Sequence, residues 1–571
     1  MKRASPLLES AIFSLSLATL CFLPLWDILI RLASDGSVKY FETAPPPVAP
    51  VVSLVFDVIV LAGVILLLLT IRDRVPLLKG PSQFALAILA LITLYRCEHL
   101  VLLLGLKTIA TYAHPVSPIH TGWEIAVVCC LLLTALWSRR FLAIAKRLVF
   151  VLSPLFFVLV ANSAWFYSRP DPALLGNHTL AGKLSGRTST ASKRKVVWII
   201  FDEMDYDLAF GERPGRLKMP EFDRLRGESL FAERVSAPSR ETLLSMPSFI
   251  TGRKVVQVKA KTSDLHLRFE NSNDWASFAS VPNVFRTARN AGFNTAVAGW
   301  YHPYCRVLAD DLADCASASN APEESAISRA IASWPFGKRA LFLALWNGSY
   351  LPLHTIRDLV NPHPSVTSDP SRIHSNPLPS EGLLQDIRQI VQLKGRIRRE
   401  EHIKSVKFIA ANASRMLRDA DLNLVMIHFP TPHPEGIWNT KGQQFSADQQ
   451  SDYVDNLALA DHLLGSIRST LESAGDWDST AILISADHPF RATLWKAMPS
   501  WSSEMESLTR GKSLRYVPFL LKLPGHHASA TTDRPFNNVV SASLVLQILQ
   551  GQIAEPEQAV SFLGASEAEI H

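Results

Sequence analysis

Five residues in this 571-residue chain have the types and placing to build a metal-dependent site, His433 beside the ion and the others as its ligands. Asp202 and Glu203 follow the apolar run VVWIIF, Val196–Phe201. His433 lies in PTPHPEG, directly after Leu424–Phe429, and Asp487 and His488 come just after Thr480–Ser485. Carboxylates and imidazoles together suit zinc or manganese, with calcium or magnesium as further divalent options. A cation held there would favour the ionised form of a bound hydroxyl and polarise an oxygen under attack. Each residue alone has an ordinary role: Asp202 capping a turn, Asp487-His488 a solvated loop, His433 a loop residue stiffened by its prolines. What favours a shared site is that all of them follow apolar runs of strand length.

Those runs define the frame. Val196–Phe201, Thr295–Gly299, Leu424–Phe429, Thr480–Ser485 and Val517–Leu523 are continuous apolar stretches, and Val284–Asn290, Ile403–Arg418 and Tyr453–Leu471 carry helical periodicity between them. Strands buried on both faces and alternating with helices predict an α/β domain with a mostly parallel central sheet flanked by helices. In such sheets ligands gather beyond the carboxyl ends of the strands, where these residues fall. Ser325–Glu400 reads as a helical insertion containing SWPFGKRALFLALWNGSY, either an interfacial helix or one packed on the sheet.

Ahead of this domain the chain is apolar in long runs. Ala11–Ile30, Val51–Ile71, Phe84–Leu106, Trp123–Trp137 and Leu148–Phe166 predict five transmembrane helices. Lys2, Arg3, Arg72, Arg74, Lys79, Arg139, Arg140, Lys146 and Arg147 gather in alternate loops, which sets the N-terminus in the cytoplasm and the C-terminal domain outside. The expected order is a membrane domain over 1–167, a linker over 168–195 rich in Pro, Gly, Ser, Thr and Lys, and an extracytoplasmic domain over 196–571. Localisation follows as a multi-pass inner-membrane protein with a periplasmic domain. Arg96, Glu98 and His99 stand inside the third run, where polar groups face other helices or a water-filled pocket. Cys305 and Cys315, in the exported part, read as a local disulfide, with two free thiols as the alternative. The formal charge of +6 lies largely in the loops between apolar segments, so no nucleic-acid partner is expected.

The stretch SRETLLSMPSFITG, Ser239–Gly252, resembles the nucleophile segment of the alkaline-phosphatase superfamily, best known in sulfatases. With MPEFDRLRGES before it, the acids after the first strand, the Pro-His-Pro loop, the Asp-His pair and VPFLLKLPG, the resemblance runs from Val196 to Gly525. It implies that Thr242 is the nucleophile and a metal ligand beside Asp202, Asp487 and His488, with Glu203 as a further ligand. It assigns His433 to a non-bridging oxygen or the leaving group, and leaves Arg491 and Arg240 as candidates for a second anionic group or as solvated charges. Threonine at 242 cannot become formylglycine, which argues against sulfate-ester hydrolysis by that route. The apolar runs add a resemblance to phosphoethanolamine transferases and lipoteichoic acid synthases. The implied activity is a metal-dependent phosphotransferase that takes a phosphoryl-linked head group from a membrane lipid to an envelope glycan, lipid or polymer. The alternatives are a phosphodiesterase, phosphatase or sulfuric-ester hydrolase, or a silent domain binding anionic glycans or lipids. GWYHPYCRVL, Gly299–Leu308, has no assigned part in this scheme.

Overall fold

A computed structural model describes residues 6–34, 36–42, 45–75, 93, 147–169, 179–184, 194–261, 263–319, 331, 334–348, 351, 381–448, 450–496, 498–512 and 514–568. It divides into two compact units, one of residues 1–35, 46–170 and 328–393, the other of 36–45, 171–327 and 394–571.

Helices α1 (Pro6–Cys21), α2 (Leu23–Ser34), α3 (Gly36–Phe41), α4 (Ala49–Arg74) and α5 (Leu155–Tyr167) occupy the N-terminal third. Among the described residues, two helical stretches, Ala49–Ile71 and Arg147–Tyr167, are long and apolar enough to cross a membrane, or three if the bent pair α1 and α2 forms one span. Five straight spans are therefore not what the structure describes. The first expected run breaks by 63° at Phe22, because Pro24 has no N–H to give back and its ring crowds the carbonyl of the preceding turn. The runs Phe84–Leu106 and Trp123–Trp137, with Arg96, Glu98 and His99, lie outside the described residues.

The expected insertion is placed with the first unit. Its helix α7 (Phe336–Gly348; α6 is given below) packs on α4, not on the sheet, and Asn347 Nδ2 donates to Asp57 Oδ2 at 2.6 Å. In the expected linker, residues 179–184 are held by the second unit: Ala181 N–H donates to Ala309 O at 3.0 Å and Leu184 N–H to Asn294 Oδ1 at 2.8 Å.

The second unit is built on one mixed, mostly parallel sheet. Its strands are β1 (Lys195–Asp202), β2 (Leu230–Ser236), β3 (Thr295–Tyr301), β4 (Asp314–Ser319), β5 (Leu424–Pro432), β6 (Thr480–Ala486), β7 (Tyr516–Lys522), β8 (Ala530–Thr532) and β9 (Phe536–Asn537). The order is β8-β2-β7-β6-β1-β5-β3-β4, with β9 also on β2. β1 runs parallel to β5 and β6, and β3 parallel to β5 and β4, while β7 is antiparallel to both β6 and β2. β2 (LFAERVS) and β4 (DCASAS) lacked an apolar run because each sits near an edge and packs fewer side chains on both faces. A separate three-stranded sheet, Val255–Lys261 with Asp264–Phe269 and Trp275–Ser277, follows the helix α6 (Thr242–Thr251).

Every residue of β1 is buried, so its VVWIIF run packs on both faces: Trp198 edge-on to Phe249 of α6, Phe201 against Phe222 and Phe429. The C-terminal part of the long helix α8 (Glu381–Leu417) adds Val406, Ile409 and Met416 to this core, and α9 (Tyr453–Ala474) packs on β5, starting from Asp452 in a reciprocal capping box with Asp455. Cys305 and Cys315 are disulfide-bonded, Cα atoms 5.5 Å apart, tying the turn after β3 to β4.

One loop is over-determined. After β5 the chain runs through His433 to Gly436, and Asn456 of α9 donates to the carbonyls of Pro432, His433 and Glu435 at 3.3, 3.2 and 3.1 Å. His402 of α8 touches Pro430 O and Glu435 O at 2.6 and 3.2 Å. A Cβ on Gly436 would lie 1.9 Å from Ser451 O, so the loop closes only with glycine there. Gly436→Ala is expected to cost about 1–3 kcal/mol, seen as a lower thermal midpoint, and to displace His433; an unchanged midpoint would contradict this packing.

Candidate metal and nucleophile site

The sheet brings the expected acids together at the carboxyl ends of β1 and β6. Asp202 ends β1 and Asp487 follows β6, its parallel neighbour, and both are fully buried. Asp487 Oδ1 accepts from the N–H groups of Glu203 and His488 at 3.0 and 2.8 Å, which leaves Oδ2 buried without a partner among the described residues. Asp202 Oδ1 is likewise buried and unpartnered, while Oδ2 accepts from Thr242 Oγ1 at 3.1 Å. Thr242, the first residue of α6, also places Oγ1 3.2 Å from His488 Nε2. Other hydroxyls of the same segment are engaged elsewhere: Ser248 donates to Leu244 O at 2.7 Å and Ser245 to Ser239 O at 3.3 Å.

The imidazoles are prepared by a common device. His488 Nδ1 lies 2.9 Å from Pro489 O, an acceptor, so Nδ1 carries the proton. Its Nε2 lone pair then points to Asp202 Oδ1 at 3.4 Å and Asp487 Oδ2 at 3.6 Å. A second histidine does the same, one that sequence reasoning missed. His428 stands inside β5, fully buried, with Nδ1 2.9 Å from Trp300 O and 3.1 Å from Tyr304 Oη, and an unpartnered Nε2 3.8 Å from Asp202 Oδ2. It was read as part of an apolar strand; the available signal was a lone histidine in a run otherwise buried on both faces. Asp202, His428 and Asp487 each offer a ligand atom within 4.8 Å of the others. A hydrogen-bonded Nδ1 and a free Nε2 are the ordinary preparation of a metal-bound histidine.

A second group, Asp202, Glu203 and His433, also has ligand atoms within 4.8 Å of one another. Glu203 is nevertheless committed in part to Arg491, whose N–H and guanidinium reach its carboxylate at 2.8 and 3.2 Å. Its backbone is left-handed, φ 70°, held by Asp487 on its N–H and by Tyr453 Oη donating to its carbonyl at 2.8 Å. His433 Nδ1 is 2.7 Å from Pro434 O, so its Nε2 is an acceptor, suited to a cation or to taking a proton and not to protonating a leaving group. Arg491 Nε is buried without a partner among the described residues, whereas Arg240 is exposed at the rim.

Electrostatics agree with a cation as the missing partner. Burial, reinforced by the charge of Asp487, holds the Asp202 carboxyl well above the usual carboxylate range. Burial raises Glu203 to about 8 against the pull of Arg491. Burial lowers His428 to about 4 and His488 below its ordinary value, so both imidazoles are neutral with lone pairs available. Orphaned carboxylate oxygens, neutral imidazoles and a hydroxyl converging in a buried space fit a divalent metal ion.

GWYHPYCRVL supplies the surroundings. Gly299 leaves room for the Tyr304 ring, which would lie 2.6 Å from a Cβ there. Trp300 O and Tyr304 Oη hold His428, Tyr301 adopts φ 80° beside the acids, and His302, kept neutral at about 3 by burial, sits behind Thr242.

No family model and no curated protein matches the chain. Similar solved structures include a protein from Vibrio parahaemolyticus (10% identity, 63% of this chain and 66% of that chain, TM-score 0.33). Others are the phosphonate monoester hydrolase of Agrobacterium radiobacter (17%, 64% and 78%, TM-score 0.34) and the lipoteichoic acid synthase LtaP from Listeria monocytogenes (11%, 63% and 72%, TM-score 0.35). They include members of the alkaline phosphatase superfamily. These likenesses are slight, and the chemistry of the site rests on the distances above.

Two outcomes are expected. His428→Ala should lower the divalent metal retained by purified protein by about tenfold or more, as should Asp487→Asn, with the far-ultraviolet circular dichroism unchanged; full metal content in His428→Ala would remove His428 from the site. Metal-free protein should lose stability as pH rises from about 5 to about 8, because Asp202 and Glu203 have raised folded values and their charging is disfavoured by the fold. Added zinc or manganese should flatten that slope in thermal melts. A metal-free midpoint that climbs over the same range would contradict it.

Proposed function

We propose that this chain is a membrane-anchored, metal-dependent phosphotransferase that forms a phosphothreonine at Thr242. The observation that carries the reading is the Thr242 hydroxyl, 3.1 Å from Asp202 and 3.2 Å from His488, at the edge of a buried set of metal-type ligands. Asp202, His428, Asp487 and His488 would hold the ion together with Thr242. When bound, it would stabilise the threonine alkoxide and draw charge from the phosphoryl oxygens.

The remaining steps belong to the chain. Thr242 Oγ1 attacks phosphorus as its proton passes to Asp202 Oδ2, and the bond to the lipid alcohol breaks, that alkoxide taking a proton from solvent. Arg491 Nε and the first-turn N–H groups of α6 receive the non-bridging oxygens. An acceptor hydroxyl then attacks the phosphothreonine, giving its proton to His433 Nε2, and Thr242 recovers its own from Asp202. Water in place of that acceptor makes the same site a phosphodiesterase or phosphatase.

Apolar helices in the same chain support a membrane lipid as donor, since its phosphoryl group lies at the membrane surface, and an envelope glycan, lipid or polymer as acceptor. With the basic loops facing the cytoplasm, the catalytic unit lies on the extracytoplasmic side of the inner membrane. Labelled phospholipids incubated with membranes containing the protein should yield a head-group-transfer product by mass spectrometry. Thr242→Ala should abolish it and keep most of the metal, whereas Thr242→Ser should retain part of the turnover and Asp487→Asn should lose both. Wild-type turnover by Thr242→Ala would overturn the nucleophile assignment.

A further inference from the structure

Residues 36–45, which precede the apolar helix α4 in sequence, fold as part of the catalytic unit. Their main chain is gripped at three successive carbonyls. Arg306 donates to Tyr40 O and, at 2.7 Å, to Glu42 O, while Ser319 Oγ donates to Phe41 O at 2.5 Å. The Phe41 ring stands edge-on to Tyr301, centroids 5.2 Å apart. Tyr40 is fully buried, and its hydroxyl lies 2.8 Å from His302 Nδ1. The other ring nitrogen, Nε2, lies 3.4 Å from the backbone carbonyl of Thr242.

The direction of these bonds is fixed by chemistry. A carbonyl only accepts, so His302 Nε2 must carry the proton that faces Thr242. A neutral ring then has a lone pair on Nδ1, which the Tyr40 hydroxyl meets as donor. His302 is fully buried among Phe41, Phe278, Tyr301 and Tyr304, and among the described residues it has no charged partner that would favour a doubly protonated ring. Tyr40 therefore selects the tautomer of His302 that supports the nucleophile's own backbone.

We propose that Tyr40 and His302 are positioning residues for Thr242, and that the catalytic site is completed by a segment from ahead of the membrane-spanning helix α4. This rests on the reading of Thr242 as the nucleophile. Losing the Tyr40 hydroxyl frees His302 to adopt the other tautomer, with a lone pair against the Thr242 carbonyl, which loosens the start of α6 where the hydroxyl must meet phosphorus to within a fraction of an ångström.

The test uses full-length protein in detergent with zinc or manganese and bis(p-nitrophenyl) phosphate as the probe. Tyr40→Phe should lower kcat by about tenfold with KM, bound metal and thermal midpoint unchanged. His302→Leu should do the same or more, His302→Gln, which keeps a donor and an acceptor, should recover part of the loss, and Tyr40→Phe combined with His302→Leu should be no worse than His302→Leu alone. Hydrogen exchange, which needs no turnover, should rise in the peptide Arg240–Ser245 of Tyr40→Phe and stay constant in Tyr453–Leu459. If the wild type turns over no phosphodiester yet that exchange rises, the phosphotransfer reading falls and the positioning stands. Unchanged exchange at Arg240–Ser245 overturns the proposal, as does wild-type kcat in Tyr40→Phe, or losses that simply multiply in the double variant.

Discussion

Two carboxylates, Asp202 and Asp487, are buried beside histidines that burial keeps neutral, and much of the catalytic unit is arranged around that fact. An uncompensated buried carboxylate costs several kcal/mol even after relaxation. Arg491 offsets this only in part, because one arm of its guanidinium is held by Glu203. A divalent cation does so with the ligands already in place, and a hydroxyl at the same point gains an environment in which its alkoxide is tolerable. Structural and catalytic demand thus coincide: what would relieve the fold would also activate Thr242.

The histidines show how the chain enforces the right lone pairs. His428, His433 and His488 each set Nδ1 against a carbonyl, of Trp300, Pro434 and Pro489 respectively, and each presents Nε2 inward. His302 inverts the arrangement, with Nε2 on a carbonyl and Nδ1 on a phenol, and it is the one that faces the backbone of Thr242 instead of its hydroxyl. For the first three the tautomer is set by main-chain atoms, so their roles tolerate changes in surrounding side chains better than they tolerate a shift of the loop. That is a physical reason for the loop after β5 to be held by Asn456, His402 and the tight approach at Gly436.

What was legible in the sequence was whatever sits at the end of a strand buried on both faces. VVWIIF, TAILIS and LVMIHF announce central strands by composition, and the residues that follow them must emerge at one edge of the sheet, which is where Asp202, Asp487, His488 and His433 are found. His428 was hidden by the same rule, since a ligand inside the strand looks like one polar residue among core positions. Thr242 came from resemblance alone; no spacing predicts that a helix starting there meets β1. Strands β2 and β4 were invisible because a strand at or next to the edge of a sheet need not be apolar on both faces. The helix pair α1 and α2 was read as straight because an apolar run reports length, while the bend is set by Pro24.

Tyr40 could not have been found from the sequence, because nothing local distinguishes a tyrosine that ends a short helix from any other residue in a loop. Its significance comes from contacts 262 positions away in the chain. Those contacts also bear on how the molecule is organised. Here the segment at 36–45 belongs to the catalytic unit while the helices on either side of it belong to the other. The chain therefore passes between the units before α4 as well as after α5. Loop-closure cost grows only slowly with length, so a contact that spans 262 positions, Tyr40 to His302, costs little more in chain entropy than a shorter one would.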